Sequence, residues 1–177
     1  MSKTLILGGV KSGKSRLAEE LAIASQQSVT YIATAAHEDH EMQARIQQHR
    51  QRRPQNWHTV ETRVLLVEAL EAHCRENECV LIDCLTMWLT NLLMTENEQL
   101  LHDELSKLQE ILPQLPGTVI FVSNETSMGV IPMGELTRRF CDEAGQLHQQ
   151  LARQADRVIL TIAGLPHVLK GNLSGRY

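Results

Sequence analysis

The chain has 177 residues, of which 42% are hydrophobic and 21% charged, and a formal net charge of −4. That describes one globular domain with a real core and excludes a disordered chain. The acidic balance also lacks the basic excess of a nucleic-acid binder, no apolar run reaches the ~20 residues of a membrane helix, and no signal peptide is legible before the first glycines.

In chain order, Thr4-Leu5-Ile6-Leu7 predicts a buried strand over 4–8. It runs straight into Gly8-Gly9-Val10-Lys11-Ser12-Gly13-Lys14-Ser15, a complete G-x-x-x-x-G-K-S sequence, and a helical pattern over 14–26 follows. Strand, glycine loop and helix in this order form a phosphate-binding loop. Its glycines let several N–H groups converge on one anion, and the helix start adds its positive end. Lys14 can reach the β- and γ-phosphates, and the Ser15 hydroxyl can take a place on Mg²⁺.

Further strands are predicted at 29–33, 79–83, 118–123 and 157–162. All are short, rich in Val and Ile, and nearly continuous in apolar character, as strands buried on both faces of a parallel sheet are. Helices are predicted between them at 38–52, 62–77, 85–94, 98–112 and 134–154, with Pro113 and Pro116-Gly117 closing the helix at 98–112. The alternation predicts an α/β fold, with a mostly parallel sheet carrying helices on both faces, in a single domain over 1–177. Ligands of such sheets gather at the carboxyl ends of the strands.

Val80-Leu81-Ile82-Asp83 is an apolar strand ending in an acid, the place from which a P-loop protein holds Mg²⁺. Together with Gly8–Ser15 it predicts nucleoside triphosphate binding. Three other segments bring polar groups or turns to strand ends: Ala33-Thr34-Ala35-Ala36, Ser123-Asn124-Glu125-Thr126-Ser127-Met128-Gly129-Val130-Ile131-Pro132, and the turn Ala163-Gly164-Leu165-Pro166. The segment over 123–132 also reads as an ordinary turn with Asn and Gly chosen for backbone shape. The cysteines at 74, 79, 84 and 141 form no C-x-x-C pair, so packing roles and a reduced, cytoplasmic setting are expected.

The helix predicted at 38–52 is polar. Its apolar face consists of Met42 and Ile46, and His49 shares that face. Arg45 precedes His49 by one turn, and Arg52 and Arg53 follow it. Guanidinium groups suit phosphate oxygens, and a neutral imidazole is a competent nucleophile toward phosphorus. From these residues alone, a histidine at the end of a solvated basic helix is the simpler reading.

Taken together, the segments resemble the bifunctional adenosylcobinamide kinase/adenosylcobinamide-phosphate guanylyltransferase family of cobalamin synthesis. The resemblance rests on Leu7 through Arg16, Tyr31 through Ala35, Glu41-Met42 with Arg45-Ile46 and His49-Arg50, Arg53-Pro54, Trp57 through Glu61, Leu81 through Thr86 with Thr90 through Leu93, Ser123 through Glu125 with Met128-Gly129 and Ile131-Pro132, and Ala163 through Pro166. It implies a RecA-like P-loop fold and two reactions. Adenosylcobinamide is first phosphorylated with ATP or GTP. A histidine then takes GMP from GTP and passes it to adenosylcobinamide phosphate, giving adenosyl-GDP-cobinamide. The resemblance places the guanylylated histidine at His49, which displaces the simpler reading. It further implies Thr34, Ala35, Ala36, Arg52, Arg53, Pro54, Gln55 and Glu61 as neighbours of the nucleotide, Ser15 and Asp83 as Mg²⁺ ligands, and a homotrimer. The chain departs from relatives in having Gln48 beside His49, Thr126-Ser127 after Glu125, and His148 where Asn is often found. The alternative from the motifs alone is a monofunctional P-loop kinase for another small molecule.

Overall fold

The computed structural model describes residues 1–35 and 54–173, and the helix predicted at 38–52 falls outside them. Seven strands form one sheet: β1 (Ser2–Gly8), β2 (Ser28–Ala33), β3 (His58–Glu61), β4 (Glu78–Asp83), β5 (Thr118–Asn124), β6 (Arg157–Ile162) and β7 (Leu165–Lys170). Among the described residues the helices are α1 (Lys14–Ala24), α2 (Leu66–His73), α3 (Leu85–Met94), α4 (Glu98–Ile111) and α5 (Glu135–Gln154). The strand order is β3-β2-β4-β5-β1-β6-β7, parallel except for the antiparallel β6–β7 pair.

Alternate side chains along a strand leave on opposite faces, and here each face meets its own core. Leu5, Leu7, Val80, Ile82, Val119 and Phe121 pack toward α2, α3, α4 and α5. Ile6, Cys79, Leu81, Ile120 and Val122 pack on Leu17, Ala18 and Ala22 of α1. Strands buried on both faces have no polar face, hence the unbroken apolar runs in the sequence.

The five predicted strands are all present. β3 was not predicted: His-Thr-Val-Glu is four largely exposed residues at a sheet edge, too short and polar to carry a period. The turn predicted at 163–166 is shorter than expected. Ala163 and Gly164, at φ 53° and 80°, form a two-residue hairpin of the kind that needs positive φ at both positions, while Leu165 and Pro166 already belong to β7. A proline is tolerated there because β7 is an edge strand. The helix predicted at 62–77 is confined to Leu66–His73. Cys74 is extended and Asn77 has φ 62°, so the chain turns directly into β4.

Candidate active site

The parallel register brings the ends of four strands to one edge. Gly8 pairs with Asn124 of β5 and Thr161 of β6, and Asp83 of β4 pairs with Val122 of β5 and Ala33 of β2. The glycine loop therefore leaves the sheet between β5 and β6, with Asp83 one strand beyond β5.

The loop is fastened from below. Ser12 N donates to Gly9 O at 3.2 Å and Gly164 N to Ser12 O at 3.0 Å, so the β6–β7 hairpin braces it. A β-carbon on Gly8 would come within 2.5 Å of both Thr161 O and Oγ1, and Gly8 has φ 155°. Gly13, at φ 100°, lies so close to Gly164 that a β-carbon would meet its Cα at 3.2 Å. These two positions demand glycine for conformation and for space. Val10 and Lys11 are exposed at the loop's tip.

Lys14 opens α1 and is buried, its Nζ donating to Gly9 O at 2.7 Å. Burial pushes its pKa down, and the Cys84 and Asp83 groups partly restore it. The lysine thus feels the charge of the acid at the end of β4, and a P-loop site uses a cation and an acid of this kind for a metal-bound triphosphate. Tyr31 Oη donates to Asp83 Oδ2 at 3.0 Å, which orients the carboxylate. Ser15 is half-buried in the first turn of α1.

Thr34 occupies a position that the resemblance gave to the nucleotide, and its side chain is engaged in the protein. Fully buried, its Oγ1 donates to Cys84 O at 2.7 Å and accepts from Cys84 N at 2.9 Å. Asn91 Nδ2 donates to Thr34 O at 2.8 Å and to Arg63 O at 3.0 Å. Thr34 therefore clips the end of β2 to the residue after Asp83. Ala35 and Pro54 are half-buried, and Gln55 is exposed. Glu61 is exposed at the end of β3, paired in register with Ala33. Ala36, His49, Arg52 and Arg53 lie outside the described residues.

Sequence reasoning did not find the polar chain on the other face. Asn124 N donates to Thr86 Oγ1 at 2.7 Å, Thr86 Oγ1 is 3.3 Å from Ser123 Oγ, and Ser123 Oγ is 2.8 Å from His148 Nε2. His148 Nδ1 lies 3.9 Å from Glu125 Oε2. The polar loop after β5 was visible in the sequence. Its partner on α5, 25 residues away, carried no local signal. Burial pushes the His148 pKa down, against the raising effect of Glu125.

A braced phosphate loop, a buried lysine at the start of α1 and an acid at the end of β4 are the parts of a nucleoside triphosphate site. The family described as cobinamide kinase / cobinamide phosphate guanyltransferase matches residues 4–169. The chain belongs to this family. It is 53% identical to the bifunctional adenosylcobalamin biosynthesis protein CobP of Pseudomonas aeruginosa, over 96% of this chain and 98% of that protein. It is 41% identical to the bifunctional adenosylcobalamin biosynthesis protein CobU of Escherichia coli, over 91% and 96%. In fold alone it is similar to the RadB recombinase, with a TM-score of 0.51 and 18% identity, over 90% of this chain and 73% of that one. The family member thus has the expected RecA-like P-loop architecture. No helix among the described residues is long and apolar enough to cross a membrane.

Proposed function

We propose that this family member phosphorylates adenosylcobinamide with ATP or GTP and then transfers GMP from GTP, through His49, to adenosylcobinamide phosphate. The observation that carries the reading is the braced loop Gly8–Ser15 with buried Lys14 folded back onto Gly9 O, in a chain whose relatives match it along nearly their whole length.

In the first step a hydroxyl of adenosylcobinamide attacks the γ-phosphorus and the nucleoside diphosphate leaves. Loop N–H groups and Lys14 hold the polyphosphate and offset its growing charge. Ser15 and Asp83 supply hard oxygen donors, the set Mg²⁺ prefers alongside phosphate oxygens and water. When bound, Mg²⁺ neutralises charge on the phosphates.

In the second step the His49 imidazole attacks the α-phosphorus of GTP, forming a P–N bond and releasing pyrophosphate. A phosphate oxygen of adenosylcobinamide phosphate then attacks the same phosphorus, the P–N bond breaks, and adenosyl-GDP-cobinamide leaves. One hard displacement becomes two easier ones. Arg52 and Arg53 offset phosphate charge, and Ala35, Ala36, Pro54, Gln55 and Glu61 border the nucleotide, with Glu61 suited to accept from the guanine N1–H and amino group. Thr34 shapes this border through its clip to Cys84. By resemblance the working form is a cytoplasmic homotrimer.

Mass spectrometry after incubation with GTP and Mg²⁺ tests the reading. An acid-labile GMP adduct is expected on the peptide containing His49, and none in His49→Ala. A parent chain that phosphorylates adenosylcobinamide without ever carrying the adduct would leave only a monofunctional kinase.

A further inference from the structure

We propose that Glu125 is the general base of the phosphorylation step, and that His148 is the residue that positions it. The proposal rests on the reading that the glycine loop holds the phosphoryl donor.

β5 lies between β4 and β1 in the sheet, so the residue that follows it stands between Asp83 and Gly8. Glu125 is that residue, and its N–H donates to Gly8 O at 2.9 Å. The carboxylate is thus carried by the backbone that abuts the first residue of the phosphate loop. Its side chain is 14% exposed, shielded from bulk water yet open on one side.

Its hydrogen bonding leaves room for a substrate. Oε1 accepts from Ser127 N at 2.7 Å and from Ser127 Oγ. Among the described residues Oε2 accepts no hydrogen bond, because His148 Nδ1 at 3.9 Å is beyond hydrogen-bond range. A carboxylate has about four acceptor positions. One oxygen is anchored, and the other keeps its lone pairs for a hydroxyl.

The polar chain behind it fixes which imidazole nitrogen faces that oxygen. Asn124 N–H donates to Thr86 Oγ1. If Thr86 then donates to Ser123, and Ser123 to His148 Nε2, every hydroxyl gives one proton and receives one, and the hydrogen of neutral His148 sits on Nδ1. Nδ1 is the ring nitrogen 3.9 Å from Glu125 Oε2, so the N–H dipole favours the carboxylate there without a hydrogen bond. The reverse order would put the hydrogen on Nε2 and set a nitrogen lone pair against the carboxylate, which is repulsive. Burial keeps the ring neutral by lowering its pKa, so it orients Glu125 without neutralising it. Serine, histidine and glutamate in this order also spell a nucleophile triad. Ser123 is 2% exposed and tied to Thr86, so it cannot meet a substrate, and the working end of the chain is the glutamate.

In the step itself, the acceptor hydroxyl gives its proton to Glu125 Oε2 as its oxygen bonds to the γ-phosphorus. The bond from that phosphorus to the bridging oxygen breaks, the nucleoside diphosphate leaves, and Glu125 returns the proton to solvent.

Steady-state phosphorylation of adenosylcobinamide with ATP and Mg²⁺ tests the assignment. Glu125→Gln keeps an oxygen for Ser127 and removes the base. It is expected to lower kcat about 10²- to 10⁴-fold, with the KM for ATP within about 3-fold of the parent's. His148→Leu should lower kcat on the order of 10-fold by letting Glu125 drift, with His148→Asn recovering part of that loss and neither altering the KM for ATP. Glu125→Gln with parental kcat, or with its loss confined to KM, overturns the proposal. If Glu125→Gln does not fold, Glu125→Ala, which also removes the carboxylate, replaces it and is read on the same kcat and KM criteria. A parent chain with no phosphorylation activity would overturn the functional reading instead, so the two failures are distinct.

Discussion

Ser12 Oγ and Thr161 Oγ1 lie 2.8 Å apart across 149 residues of sequence, and both are buried. Thr161 gives its own proton to Leu7 O at 3.1 Å, so Ser12 is the donor in the pair. The floor of the phosphate loop is therefore fastened to β6 by one directed bond. Thr161→Val keeps the shape and leaves the Ser12 hydroxyl buried without an acceptor. A loss of ~1–3 kcal/mol is expected, read as a drop in Tm of ~2–4 °C per kcal/mol for a chain of this size. Adding Ser12→Ala should recover part of it, because the unpaired group is then gone. Thermal denaturation of the two variants checks this, and an unchanged Tm in Thr161→Val would remove the bond from the account.

Lys14 is held against its own solvation. Burial lowers its pKa from 10.5, with Cys84 and Asp83 opposing. A buried cation with a lowered pKa takes stability away at neutral pH, where the unfolded chain holds the proton more tightly. That penalty fades as pH rises from the folded-state value toward 10.5. Lys14→Met should therefore melt no lower than the parent when nucleotide is absent. The rise in Tm that ATP and Mg²⁺ give the parent should be largely lost, since that rise measures binding to the folded state. Differential scanning with and without ATP reads both at once. A variant that melts well below the parent in the absence of nucleotide would show that the lysine stabilises the fold.

The clip at Thr34 makes a separate demand. Its hydroxyl both donates to and accepts from the backbone of Cys84, next to the acid proposed to hold the metal. Thr34→Val leaves two inward-facing backbone groups without that partner. The expected cost is ~1–3 kcal/mol for each group left unsatisfied, with a raised requirement for Mg²⁺ because the backbone that follows Asp83 is no longer clipped to β2. Thr34→Ser keeps the hydroxyl and should restore both. Titration of phosphorylation activity against Mg²⁺ separates this role from direct contact with nucleotide, which would raise the KM for ATP at saturating Mg²⁺.

The sequence carried these arrangements unevenly. Glycine spacing and flanking strand identified the loop because the conformations at Gly8 and Gly13 are local properties. The five inner strands were legible because burial on both faces removes polar residues from them. β3 and β7 lack that signature at the sheet edges, and Pro166 reads as a turn until Thr161 is seen beside it. Thr34 was visible as a site residue, but its tie to Cys84 spans 50 residues. His148 looked like a departure from relatives rather than the partner of Ser123. Pairings across the sheet depend on strand order, and strand order has no local pattern in the chain.

Glu104 extends the same lesson to stability. This carboxylate on α4 is 6% exposed and accepts from Val67 N at 3.2 Å, in the first turn of α2. Leu65, at that helix's N-cap, offers no side-chain acceptor, so a residue from another helix replaces the missing cap. Burial raises the Glu104 pKa above 4.5, while the Val67 and Leu66 N–H groups and Lys107 pull it down and Glu68 pushes it up. With the folded value raised, the folded state holds the proton that the unfolded chain has released. Stability from this group is therefore full below 4.5 and declines as pH rises through the folded value. Glu104→Gln retains an acceptor oxygen for Val67 and has no charge to desolvate. It should match or exceed the parent at pH 7 and flatten the fall in stability just above pH 4.5. Glu104→Leu removes the acceptor and should lose ~1–3 kcal/mol. Urea unfolding at pH 4.5 and pH 7 distinguishes them. If Glu104→Gln instead lost as much at pH 7 as Glu104→Leu, the charge itself would be what holds the start of α2.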